Sequence, residues 1–129
     1  MKKSNKKFEI NIESFGIYTR WNRESRDLPE IVKFSNEIPA EEDAEFGMIL
    51  NIKKGKGILL SCEITHPPFN GSNGKMAPPF TCEQMVTSNN YMFFIGDSIW
   101  APVEDKKGEW CVKVMHKNEV LVQKKFMVI

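Results

Sequence analysis

A chain of 129 residues, 41% hydrophobic and 27% charged, is long enough for one buried core and too short for two. Only three cysteines and eight glycines exclude a disulfide-dense miniprotein and a collagen-like repeat, and no apolar run approaches the ~18 residues of a membrane-spanning helix. The formal net charge of +1 divides unevenly, because Lys2, Lys3, Lys6 and Lys7 leave the rest of the chain with fewer bases than its 17 acids, a poor match to a phosphate backbone.

Residues 1–7 therefore read as a flexible Lys-rich tail and residues 8–129 as one folded domain. From Phe8 the pattern is that of strands. Phe8, Ile10 and Ile12 alternate with Glu9, Asn11 and Glu13, and the phase slips at Ser14-Phe15-Gly16 before Ile17-Tyr18, the mark of a bulge in an edge strand. The same alternation is unlike the apolar run of an export signal, so the chain as written is expected in the cytoplasm, or in the periplasm if a signal once preceded it. Pro29 divides the one stretch with helical character, Glu24 to Phe34, and Ile31-Val32-Lys33-Phe34 reads as a short strand with Ile38-Pro39 as its frayed continuation.

Phe46, Met48, Leu50 and Ile52 occupy every second position, and Ile58, Leu60, Cys62 and Ile64 do so again after the turn Lys54-Gly55-Lys56-Gly57. Between His66 and Pro79 four prolines and two glycines exclude regular pairing, so this segment is expected as a long loop. Tyr91 to Ile95 is a short continuous apolar run, the pattern of a strand buried on both faces. Trp110, Val112 and Val114 then alternate with Cys111, Lys113 and Met115 before His116-Lys117-Asn118-Glu119 turns the chain into Val120-Leu121-Val122 and Phe126-Met127-Val128-Ile129. Asn118 suits a left-handed turn position. The expected fold is all-β, a single antiparallel immunoglobulin-like sandwich of about seven strands.

Several of these residues share an order with a known family: Ile12-x-x-Phe15-Gly16-Ile17-Tyr18, Ile38-Pro39-Ala40, Phe46-Gly47, the later Pro-Pro-Phe, and the ending Gly108-x-Trp110-x-Val112-x-Val114-x-His116 with Phe126-x-Val128. In these motifs the chain resembles the bacterial domain-of-unknown-function family 3859, nearly end to end, departing from it in a Lys/Asn-rich composition and a longer Ala101–Lys107 connection. The resemblance implies an immunoglobulin-like β-sandwich and no assigned activity or catalytic residue. Independently of the family, Gly108-x-Trp110 reads as a tight turn that delivers an indole to the core.

The candidate sites are few. His66, Cys111, His116 and a methionine are ligand types of a blue-copper centre, and Cys111-x4-His116 has one of its spacings, but a strand rising ~3.4 Å per residue carries those two about 17 Å apart. No cofactor is expected. Glu37 with Glu41-Glu42-Asp43-x-Glu45 reads as a solvated lead-in to a strand rather than a calcium site. Cys62 lies on an apolar strand face and both histidines adjoin turns, so no nucleophile and base are matched and no enzyme is expected. Phe69 and Met76 in the Pro-rich loop, with Trp100, are the candidate binding residues; the two loop residues either face a partner or plug the sandwich end. The expected role is a non-catalytic binding or accessory module for a protein partner, through end loops or an edge strand, with no nucleic acid and no membrane; the alternative is a small-molecule or metal-binding sandwich.

Overall fold

The computed structural model describes residues 8–20, 27–68 and 78–129. The Lys-rich residues 1–7, Phe69 and Met76 lie outside them. The strands are β1 (Glu9–Tyr18), β2 (Ile31–Lys33), β3 (Glu37–Ile38), β4 (Glu45–Lys53), β5 (Leu59–Thr65), β6 (Phe80–Met85), β7 (Asn90–Ser98), β8 (Gly108–His116) and β9 (Glu119–Val128). They form a four-stranded sheet in the order β2-β1-β4-β7 and a five-stranded sheet in the order β3-β9-β8-β5-β6. Nine strands are thus described where about seven were expected, and the pairing is mixed, because β3 runs parallel to β9.

Both extra strands have a physical reason. Ile38 and Pro39 do not prolong the short strand at Ile31; the chain crosses to the other sheet, where Met127 N–H donates to the Asn36 carbonyl at 2.7 Å and Ile129 N–H to the Ile38 carbonyl at 2.9 Å. Ile38 is fully buried there. Strand β6, Phe-Thr-Cys-Glu-Gln-Met, has no apolar alternation because it is an edge whose inner face opens on a gap rather than on packed core.

The core lies between the sheets. Met48, Leu50 and Ile52 of β4 meet Leu60, Cys62 and Ile64 of β5 and Val112 and Val114 of β8. At one end Trp110 is fully buried, edge-on to Phe46 at 5.3 Å between ring centroids, and Phe126 also packs on Phe46, at 5.5 Å. Burying an indole contributes a few kcal/mol, and the edge-on contact about 1 more. Its N–H donates to the Lys106 carbonyl at 2.8 Å, so the buried polar atom is satisfied. Gly108 opens β8 at φ 129°, and a side chain there would start 2.9 Å from Pro67, which is why a glycine precedes the Trp by two. At the far end of β8, Lys117 and Asn118 both take positive φ and close a two-residue hairpin.

A second, smaller cluster covers the outer face of the four-stranded sheet. Tyr18, Ile49 and Phe94 pack under Leu28 and Ile31, which explains why the run at Phe93-Phe94-Ile95 is buried on both faces although β7 is an edge strand. The Tyr18 hydroxyl bonds Ser14 Oγ at 2.7 Å, and burial pushes its pKa above the ordinary 10.0. The β1 phase slip is a bulge between Ile12 and Ser14 against β4, two residues ahead of Gly16, but β1 is not the edge strand expected, since it lies between β2 and β4. Beyond it Gly16, Gly47 and Gly96 stand directly opposite one another across β1, β4 and β7. A Cβ on Gly47, at φ 153°, would sit 2.3 Å from the Ile95 carbonyl oxygen.

Gly47→Ala is therefore expected to cost at least about 3 kcal/mol in a urea melt, since strain is joined by a clash with backbone. Gly57→Ala, at φ 96° with open space around it, should cost only the strain, about 1 kcal/mol. Because the folded state holds the Tyr18 phenol protonated beyond the pH at which the unfolded chain releases it, stability is full below pH ~10 and falls as pH rises through the folded value. Tyr18→Phe should flatten that alkaline decline, measured as Tm against pH.

Candidate functional site

Strands β6 and β7 end their respective sheets on the same side of the sandwich, and no strand among the described residues joins them. The result is a cleft between the layers of about 480 Å³. Its floor is Cys62 and Ile64 of β5; Phe80, Cys82 and Gln84 of β6 form one wall, and Phe93, Ile95 and Asp97 of β7 the other. These alternate positions are inward ones, fixed by the register in which Leu60 faces Gln84, Cys62 faces Cys82 and Ile64 faces Phe80. Toward one end Gln84 bridges the two sheets, its side-chain amide donating to the Tyr91 hydroxyl at 2.5 Å. Toward the other, Phe80 stands 6.1 Å from Trp100, ring to ring.

Trp100, one of the candidate binding residues, is thus exposed, at 38%, at the end of the cleft. Its position depends on a buried ion pair. A 3-10 turn, Glu104–Lys106, turns the Lys106 side chain inward, where its ammonium reaches Asp105 at 2.6 Å and the Pro102 carbonyl at 2.9 Å. The same ammonium lies 4.5 Å from the centre of the Trp100 ring. The two side chains are 2% and 8% exposed, so charge pairing, a carbonyl and an aromatic face together replace the water lost. The long Ala101–Lys107 connection noted in the sequence is this turn, and it seats both tryptophans, which meet edge-on at 6.4 Å.

The metal candidates are placed apart. His66 is buried against Phe80 and Trp110, with its two ring nitrogens 2.8 Å from the Pro67 carbonyl and 3.2 Å from the Pro78 carbonyl. It thereby pins together the start and the end of the segment between β5 and β6. Cys111 lies opposite Thr65 on the other face of the same sheet from Trp110, and His116 packs at the far end of β8, edge-on to Phe8 at 5.4 Å. Among the described residues no group of three His, Cys, Asp or Glu side chains is arranged to hold a metal ion. Of the acidic lead-in, Glu41, Glu42 and Asp43 are exposed, while Glu45 is buried at the start of β4, contrary to its expected solvation.

Two features of the cleft escape a reading of the sequence: the Cys62–Cys82 juxtaposition and the Gln84–Tyr91 bridge. Both need β6 to be recognised as a strand. The available signal is weak, a polar edge whose Cys82 and Gln84 share parity with Phe80.

A family model described as a domain of unknown function (DUF3859) matches residues 6–128. Among solved structures, an immunoglobulin-like protein from Pseudomonas aeruginosa is similar over 94% of this chain and 97% of its own, with a TM-score of 0.71 and 21% sequence identity. No curated protein matches the chain.

Removing the Asp105 carboxylate leaves the Lys106 ammonium buried with fewer partners. Asp105→Ala is expected to cost about 3 kcal/mol, and Asp105→Ala with Lys106→Met to recover most of it, in a double-mutant cycle by chemical denaturation.

Proposed function

Since the chain belongs to the DUF3859 family, we propose that it is a non-catalytic binding module of that immunoglobulin-like fold, taking an extended segment of a partner protein at the β6/β7 cleft. The observation that carries the reading is the pairing of an apolar cleft with two strand edges, β6 and β7, that no strand among the described residues covers. An edge offers a row of backbone donors and acceptors, and the cleft offers an apolar site for every second side chain of a strand laid along it. Its volume falls within the ~300–1,000 Å³ of ordinary ligand sites. The cleft wall adds Asp97 and Gln84, polar groups that discriminate among occupants. A non-catalytic role fits the separation of the two histidines, with His66 against the Pro67 and Pro78 carbonyls and His116 against Phe8.

The test is a set of ten-residue peptides with Val, Ile, Leu or Phe at alternate positions, titrated into isotope-labelled protein and followed by NMR. Binding should perturb backbone amides of β6 or β7, Trp100→Ala should weaken it at least tenfold, about 1.4 kcal/mol, and Gln84→Lys should abolish it. Perturbations confined to the outer faces of the sheets would overturn the proposal. So would uptake of a compact apolar dye with no peptide bound, which assigns the cleft to small molecules.

A further inference from the structure

Cys62 and Cys82 are direct partners across the antiparallel pair β5/β6, both turned into the cleft. Directly opposed residues in such a pair have Cα atoms ~4.5–5.5 Å apart, inside the ~4.4–6.8 Å that a disulfide spans. The two thiols are hydrogen-bonded to each other. They differ in access: Cys82 lies exposed on the edge strand, whereas Cys62 is buried beneath it at 3% exposure. The contact with Cys82, and then burial, push the Cys62 thiol well above its ordinary range.

We propose that Cys62 and Cys82 form a dithiol site that low-molecular-mass disulfides convert reversibly into a cross-strand disulfide. The order of attack follows from exposure. The Cys82 thiolate attacks one sulfur of the small disulfide, whose S–S bond breaks and expels one thiolate. Cys62, its proton passing to that thiolate, then attacks Cys82 Sγ; the mixed disulfide breaks and expels the second small thiolate, which takes up the proton Cys82 had released to solvent. Two protein thiols are oxidised to one disulfide while one small disulfide is reduced to two thiols. Cys111 takes no part, because it lies on the opposite face of its sheet, on β8, next to Thr65 rather than Cys62. This site does not depend on the peptide reading of the cleft.

The experiment is incubation of the whole reduced protein with oxidised glutathione, followed by intact-mass analysis and thiol counting in denaturant. The expected result is a fall from three free thiols to one, with no retained glutathione and full recovery under dithiothreitol. Cys111→Ser should fall from two to none, and Cys62→Ala should accumulate one glutathione on Cys82. Three thiols remaining in the wild type, a stable glutathione adduct on it, or a disulfide to Cys111 would each overturn the proposal. The wild-type measurement decides the matter even if Cys62→Ala fails to fold.

Discussion

The Trp110 indole is the contact on which the two sheets agree. It comes from β8 of the larger sheet, lies edge-on to Phe46 of the smaller one, and through its N–H fixes the carbonyl of Lys106 in the connection from β7. A ring of that size, fully buried, sets the spacing of the layers at its end of the sandwich. The surrounding features are then conditions for its placement: Gly108 lets the chain turn, His66 packs beside it, and the Lys106–Asp105 pair holds the turn that caps it.

The chain passes between the layers on both flanks of the sandwich. On one flank it crosses from β2 to β3, which pairs with β9. On the other it crosses from β6 to β7 in four residues, where Lys54 N–H donates to the Asn89 carbonyl at 2.9 Å. Side chains add to that second crossing, with a Gln84–Tyr91 hydrogen bond toward one end and the Phe80–Trp100 contact toward the other. The cleft and the thiol pair lie between these two side-chain bridges.

Much of the core was legible before the structure. Alternation at Phe46–Ile52, Ile58–Ile64 and Trp110–Val114 reports a buried face directly, and Asn118 in its turn reports a left-handed backbone. The family resemblance and the immunoglobulin-like fold were legible in the same residues. What stayed hidden depends on neighbours remote in sequence. Ile38 looks like a frayed end until Val128 is placed beside it, and Phe80–Met85 looks like a loop because its inner face meets a gap, so burial leaves no periodic imprint. Trp100 was legible as a candidate binding residue, but not the contact that seats it. The deciding partner, Lys106, is a residue whose type argues for solvent, and only the adjacent Asp105 reconciles it with burial.

The row formed by Gly16, Gly47 and Gly96 gives the smaller sheet a crease. At that rung the strands present backbone alone, and a Cβ at any of the three would meet a carbonyl oxygen of the neighbouring strand within 2.0 to 2.3 Å. Relief cannot come from a rotamer change, because the obstacle is main chain. A substitution made in one strand is therefore resisted by the main chain of the next, and three positions far apart in the chain act on one rung: a side chain at any of them is admitted only if two strands move apart.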